Sequence, residues 1–183
     1  MTIRPVPIDR LNEVFTLVRA CKAAMEQEGI RQWTDAYPNI GILRDDIEKG
    51  YLHGIGDGRT VHGVVNISEV QEAEYASVDW GMTEGSVLVI HRLAVHPHRQ
   101  GQGLARELMD FAEGEAWRRG HGSIRLDAYS GNPRVLRFYG ARGYVRRGQV
   151  YFPGRDLPFH CFELVKPSNS LTERNERRPP RVL

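Results

Sequence analysis

The sequence predicts one domain in which helices pack on a β-sheet, an α/β (α+β) fold, and three observations carry that prediction. Segments of period-two alternation or β-branched residues interleave with segments of helical period along the chain. Residues 87 to 109, VLVIHRLAVHPHRQGQGLARELM, pass from an apolar β-branched run through a His-Pro break and a loop with two glycines into a helix-period pattern that begins at Leu104. The length, 183 residues, suffices for one full core and is too short for two ordinary ones.

Residues 2 to 6 alternate enough for a short first strand, and Pro5 marks its end or an edge position. From Asp9, a residue type suited to an N-cap, Leu11, Val14, Phe15, Val18 and Met25 recur at helical spacing to Glu28, and Gly29 stops the helix. Residues 29 to 41, GIRQWTDAYPNIG, have aromatics but no period, and residues 42 to 49 read as a second short helix. Trp33 and Tyr37 in that irregular stretch either roof the core or line a pocket. Residues 51 to 55, a turn at Asp57-Gly58 and residues 59 to 69 form a β-hairpin. Residues 71 to 80 are polar and aromatic, with an extended piece expected at 75 to 78.

The strand over residues 87 to 95 follows. Leu104, Leu108, Ala112 and Ala116 lie four apart, so the third helix runs to about Arg119 and ends before Gly120 or Gly122. In residues 123 to 128, Ile124, Leu126 and Ala128 alternate with Arg125 and Asp127, which is a strand. Asn132-Pro133 opens a fourth helix that lasts until Gly143, with Asn as cap and Pro in the first turn. Two strands close the fold, at 144 to 152 and 159 to 165. Beyond Lys166 the polar stretch PSNSLTERNERRPPRVL has little to bury and is expected to be disordered, which divides the chain into a domain at 1–166 and a tail at 167–183.

Hydrophobic residues at 40% and charged residues at 26% are the proportions of a globular protein. There are 25 basic and 23 acidic residues, and residues 168 to 183 hold four Arg and two Glu, so the body carries 21 of each sign. A neutral body lacks the electrostatic footprint of a nucleic-acid binder. Cys21 and Cys161 belong to no metal spacing and read as free thiols of a reducing compartment. Without an apolar run of roughly 18 residues or a signal-peptide core, the expectation is a cytoplasmic protein that does not engage a membrane. His96 and His98 find no third ligand at a recognisable spacing, so no metal is expected.

The strand, glycine loop and helix start at residues 87 to 109 form an anion site. The first turn of a helix has backbone N–H groups without partners and concentrates about half a positive charge there. Gly101 and Gly103 admit a phosphate group close to the backbone. A nucleoside-triphosphate P-loop is excluded by the lack of Gly-Lys-Ser/Thr, and a dinucleotide fold is disfavoured because the glycines follow a late strand. The ligand expected here is a phosphate-bearing cofactor.

The element order β-α-α-β-β-β-α-β-α-β-β, the loop Gln100-Gly101-Gln102-Gly103-Leu104-Ala105, the preceding RLAVHP at residues 92 to 97 and LDAYSGNPRVLRFYGARGYV at 126 to 145 together resemble the GNAT superfamily of acyl-CoA-dependent N-acyltransferases. Gln32-Trp33 and Tyr37-Pro38 are similar to a segment of a bacterial subgroup whose substrate is unassigned. The resemblance implies a central mixed, mostly antiparallel sheet of six to seven strands, splayed between the fourth and fifth and flanked by about four helices. It implies acetyl-CoA as co-substrate, with the amide groups of Arg99, Gln100, Gly101, Gln102, Gly103, Leu104 and Ala105 turned to the pyrophosphate. The backbone at Leu93 and Val95 would meet the pantetheine arm, a backbone N–H near Leu93 or Ala94 would hold the oxyanion, and Asn132 would bond the arm from the opposite wall while also capping its helix.

Tyr139 matches the family's general acid, and His91 stands where some members place a carboxylate base. Glu69, Glu74 and Asp79 are candidates to attract or position a cationic amine, and Trp33 and Tyr37 to line the substrate pocket. The implied reaction is direct transfer of an acetyl group from acetyl-CoA to a primary amine of a small molecule or peptide in a ternary complex. The rival readings are a non-catalytic acyl-CoA-binding or regulatory module and a protein N-terminal or lysine acetyltransferase. A homodimer is a further expectation of the resemblance.

Overall fold

The structure, a computed structural model, describes residues 1–167. The tail expected to be disordered lies outside the described residues, Pro167 apart. Seven strands form one mixed sheet: β1 (Thr2–Pro5), β2 (Leu52–Gly56), β3 (Val61–Ser68), β4 (Val87–Val95), β5 (Ser123–Tyr129), β6 (Val145–Val150) and β7 (Phe159–Val165). Their spatial order is β1-β2-β3-β4-β5-β7-β6. Every neighbouring pair is antiparallel except β4 and β5, which run parallel. Four α-helices flank the sheet: α1 (Leu11–Gln27), α2 (Ile40–Glu48), α3 (Leu104–Arg118) and α4 (Pro133–Ala141).

The helical stripe legible in α3 is buried, with Leu108, Met109, Ala112 and Ala116 fully enclosed against Ile67, Leu88, Ile124 and Leu126 of the sheet. Val14, Leu17 and Val18 of α1 and Leu43 of α2 cover the other face over Leu52, Val64 and Ala94. Both faces are thus covered, which is why the central strands read as nearly continuous apolar runs.

Two irregularities in β4 shape the site. β4 pairs with β5 only at Val87, Leu88 and Val89, opposite Ser123, Ile124 and Arg125, and beyond that the two strands part. On the other side, β3 advances from Val64 to Asn66 while β4 goes from Ala94 to His91, so β4 carries an extra residue. Within that bulge Arg92 takes φ +49°, a left-handed conformation that costs a non-glycine residue about 1 kcal/mol or more. A bulge of this kind re-aims a side chain, here the guanidinium of Arg92.

The segment expected to be extended at 75 to 78 is instead a 3₁₀ turn, Ala73–Ser77. Its backbone is held by tertiary anchors, which a local pattern does not record. Trp80 Nε1 donates to the Tyr75 carbonyl at 3.0 Å, and the buried Glu163 carboxylate accepts from the Gly81 amide at 2.8 Å and from Arg147 Nε at 2.9 Å. Arg125 lies over the Trp80 ring at 4.3 Å and donates to the Met82 carbonyl at 2.6 Å. Asp9 does not cap α1: it sits in a 3₁₀ turn, Ile8–Arg10, that leads into the helix. α2 starts two residues before the expected position because the Asn39 side chain accepts from the Ile42 amide at 3.0 Å. Cys21 and Cys161 are both buried free thiols.

Candidate functional site

Where β4 leaves β5, a cleft of about 620 Å³ opens between α1, the exposed edge of β4, the glycine loop and the start of α4. Leu93, Ala94 and Val95 form its β4 wall, and Gln100, Gly101, Gln102, Gly103 and Ala105 its end. Gly101 and Gly103 take φ +77° and +86°, and open space lies where a Cβ would stand. Gly103 is the N-cap of the 15-residue α3 and provides no side-chain cap. Among the described residues, the backbone N–H groups of 101 to 105 make no hydrogen bond to protein, so they remain available to an anion. Arg106 and Arg134 also line the cleft and add positive charge.

The expected cradle is narrower than residues 99 to 105. The Arg99 amide donates to the His96 carbonyl at 2.7 Å and the Gln100 amide to the Pro97 carbonyl at 3.3 Å, because the His-Pro break folds into a 3₁₀ turn, Pro97–Arg99. Gln100 braces the loop by its side chain, whose Nε2 donates to the Val95 carbonyl at 3.1 Å. Cys21 Sγ donates to the same carbonyl at 3.2 Å, and burial lifts that thiol to about 12. The Leu104 side chain belongs to the core, and neither Leu104 nor Arg99 lines the cleft. Asn132 does line it, and it also caps α4, accepting from the Val135 amide at 3.3 Å.

Gly103→Val is expected to weaken the binding of a phosphate-bearing ligand at this loop about tenfold, since left-handed backbone costs a bulky residue 1–2 kcal/mol and the loop relaxes by turning its amides away. Titration calorimetry checks this, with the far-ultraviolet circular dichroism unchanged.

Leu93, Val135, Gln32 and Trp33 are shared between this cleft and a smaller inner pocket of about 70 Å³. The inner pocket is walled by Tyr37, His91, Arg92, Asp127, Tyr139 and Phe159. Trp33 is 7% exposed and packs against the α1–α2 core, so the aromatic segment closes over the pocket. Arg155, from the loop between β6 and β7, seals it further: its Nε donates to the Gln32 carbonyl at 3.3 Å and its guanidinium lies 5.3 Å from the centre of the Tyr37 ring. Across the cleft, Asn132 Nδ2 donates to Gln32 Oε1 at 3.4 Å.

Three titratable groups meet at the inner pocket. Asp127 is half-buried, accepts from the Tyr75 hydroxyl at 2.8 Å, and is lifted to about 6 by desolvation, assisted by the charge of Glu72. The Tyr139 phenol, on a residue 5% exposed, is raised by burial and by the Asp127 carboxylate, so it stays protonated across the physiological range. His91 is buried; its Nε2–H donates to the Val70 carbonyl at 3.1 Å, and desolvation beside Arg92 pushes the ring down to about 4. A group that titrates near 4 is a weak base at neutral pH, and of the three Asp127 is the better matched.

Arg92 and His91 also border an outer cavity of about 430 Å³ beside α2, lined as well by Asp45, Asp46, Lys49 and Glu72. Asp46 accepts from Arg92 Nε and Nη2 at 2.7 and 2.8 Å, and Arg92 Nη1 donates to the Tyr37 hydroxyl at 2.8 Å. Glu69 and Asp79 line none of these three spaces. Glu69 faces His121 at 3.6 Å. Asp127, Glu72, Asp46 and Arg92 are therefore site residues that were not singled out from sequence.

A model of the acetyltransferase (GNAT) family matches residues 17–144. Among curated proteins no sequence match is found. The chain is similar in structure to an acetyltransferase of the GNAT family from Streptococcus agalactiae, at 23% identity and TM-score 0.77 over 91% of this chain and 95% of that one. It is similar also to the PaiA N-acetyltransferase of Thermoplasma acidophilum in complex with coenzyme A, at 17% identity and TM-score 0.67 over 90% and 98%. YncA of Salmonella typhimurium, solved with its cofactor acetyl-CoA, matches at 19% identity and TM-score 0.66 over 90% and 93%. At such identities these likenesses establish the fold.

Proposed function

The chain belongs to the acetyltransferase (GNAT) family, and from that premise we propose that it transfers an acetyl group from acetyl-CoA to the primary amine of a small molecule held in the inner pocket. The observation that carries this reading is the parting of β4 from β5 after Val89. It leaves the β4 edge at Leu93 to Val95 without a strand partner, with the Val95 carbonyl held by Gln100 and Cys21, along a cleft that runs from the free amides at Gly101 and Gly103 to a pocket with a carboxylate and a phenol. The residues present suit a coenzyme: free amides and two arginines for phosphates, an unpaired strand edge for amide groups, and apolar walls from Met25 and Phe138. When bound, acetyl-CoA supplies an activated acyl carbon and a thiolate leaving group.

The protein's own residues would act as follows. Asp127, ionised above about pH 6, takes a proton from the acceptor nitrogen as the new C–N bond forms. The backbone of the bulged β4 at Leu93 and Ala94 is the donor surface for the developing oxyanion. Tyr139 hydrogen-bonds the departing sulfur as the C–S bond breaks and supplies the proton that ends on the thiol. His91, held neutral, positions the wall between the two cavities rather than serving as base. A pocket of about 70 Å³ roofed by Trp33 accommodates the amine-bearing end of a small molecule better than a peptide, which would need an open groove beside Trp33 and Tyr37.

The test pairs wild type with Tyr139→Phe in an acetyl-CoA turnover assay across small primary amines, with coenzyme A affinity measured in parallel. Losing a hydrogen bond to a charged sulfur is expected to lower kcat by about 10- to 100-fold with coenzyme A affinity unchanged. Unchanged turnover removes Tyr139 from the mechanism.

A further inference from the structure

The junction of the inner and outer cavities brings His91 and Glu72 face to face. His91 gives its Nε2 proton to the Val70 carbonyl, and its ring, 7% exposed and beside the Arg92 guanidinium, stays neutral, so Nδ1 carries a lone pair. The carboxylate of Glu72 stands 3.7 Å from that Nδ1. A lone pair and a carboxylate oxygen facing each other repel unless a donor bridges them, and an ammonium group has three N–H donors to do so.

The charges around the outer cavity leave Glu72 as the surplus. Arg92 is neutralised by the two-pronged bond from Asp46, and Lys49 pairs with Asp45 at 2.7 Å. Among the described residues, Glu72 meets no lysine or arginine at ion-pair distance, only His91, and Asp127, in the inner pocket, meets none either: its hydrogen bond comes from a neutral phenol. Both carboxylates face adjoining cavities, and the charge of Glu72 adds to the cost of ionising Asp127, so Glu72 calls for a cation and Asp127 for the amine it deprotonates.

We propose that the acceptor is a diamine, with the nitrogen that is acetylated beside Asp127 in the inner pocket and a second, charged ammonium bridging His91 Nδ1 and Glu72 at the mouth of the outer cavity. This rests on the inner pocket being the acceptor site, and it specifies the substrate class. The outer cavity, about 430 Å³ and open beside α2, receives the remainder of the molecule. Glu72 is then the specificity residue, held in place by the turn that the Glu163 and Trp80 anchors fix on the sheet.

The experiment compares kcat/KM for 1,4-diaminobutane and for n-butylamine, which differ by the second nitrogen, in wild type and in Glu72→Gln. A charged hydrogen-bonded contact of this type is expected to favour the diamine by about 10- to 100-fold in wild type. In Glu72→Gln the ratio of the two is expected to fall towards one, with coenzyme A affinity retained as evidence of folding. Equal kcat/KM for the two amines in wild type, or a ratio unmoved by Glu72→Gln, overturns the diamine assignment while leaving acetyl transfer intact. Coenzyme A binding with no transfer to either amine, or to any monoamine, overturns the acetyltransferase reading along with it.

Discussion

Asp127→Asn is expected to lower kcat/KM for the amine by about 10²- to 10⁴-fold, the range a positioned general base contributes. Affinity for coenzyme A should hold, because Asp127 lies on the inner pocket and not on the coenzyme cleft. In wild type kcat/KM should fall as pH drops through about 6, where the carboxylate takes up its proton, and in the Asn variant that limb should vanish. The same shift has a sign for stability. Asp127 binds its proton more tightly in the folded than in the unfolded chain, so its contribution to stability is present below its unfolded value and is lost as pH rises through about 6. The Asn variant escapes that loss and should be the more stable protein at neutral pH. A carboxylate that costs stability where it lines a pocket is the pattern of a functional group; denaturant titrations at two pH values check it.

Asp46→Ala is the second large effect. It leaves the Arg92 guanidinium buried, at a left-handed position in a bulge, without the two hydrogen bonds that hold it. Removing one partner of a buried pair costs about 3–5 kcal/mol, which urea unfolding will register. Burial outweighs the attraction of Arg92 and raises the Asp46 carboxyl above its ordinary value, so the attraction within the pair does not repay the cost of burying that charge. Replacing both residues together, Asp46→Leu with Arg92→Met, should therefore cost less than Asp46→Ala alone. Neither variant should recover turnover, since Arg92 shapes the wall common to both cavities.

The order of elements was legible because each follows from a local period: the run at β4, the four-residue spacing in α3, the Asn-Pro start of α4. The glycine loop was legible for the same reason, since φ above zero and a helix start are local demands. What local pattern could not supply is a site assembled across long separations. Asp46 and Arg92 are 46 residues apart, Tyr75 and Asp127 are 52, and Gln32 and Asn132 are 100. Glu69 and Asp79 were plausible amine ligands by charge alone, but the 3₁₀ turn between them presents Glu72 to the cavity instead.

Asp127 had one visible signal. It is an acidic residue between Leu126 and Ala128, on the strand that parts from β4, and period-two alternation presented it as the polar side of a half-buried strand. Both faces of β5 are in fact covered, so Ser123 and Arg125 are buried and Asp127 is half-buried in a pocket wall. Histidine at position 91 offered the right unperturbed titration range, but burial beside a guanidinium takes that range away.

The most direct test of the central claim is a single-turnover reaction of the acetyl-CoA complex with small primary amines, reading the acylated amine by mass spectrometry and the free thiol by a colorimetric reagent. Acylated amine and free thiol are expected in equal amounts, at a rate that falls as pH drops through about 6. Tight binding of acetyl-CoA with thiol released only at the rate of background hydrolysis, and no acylated product, would contradict it.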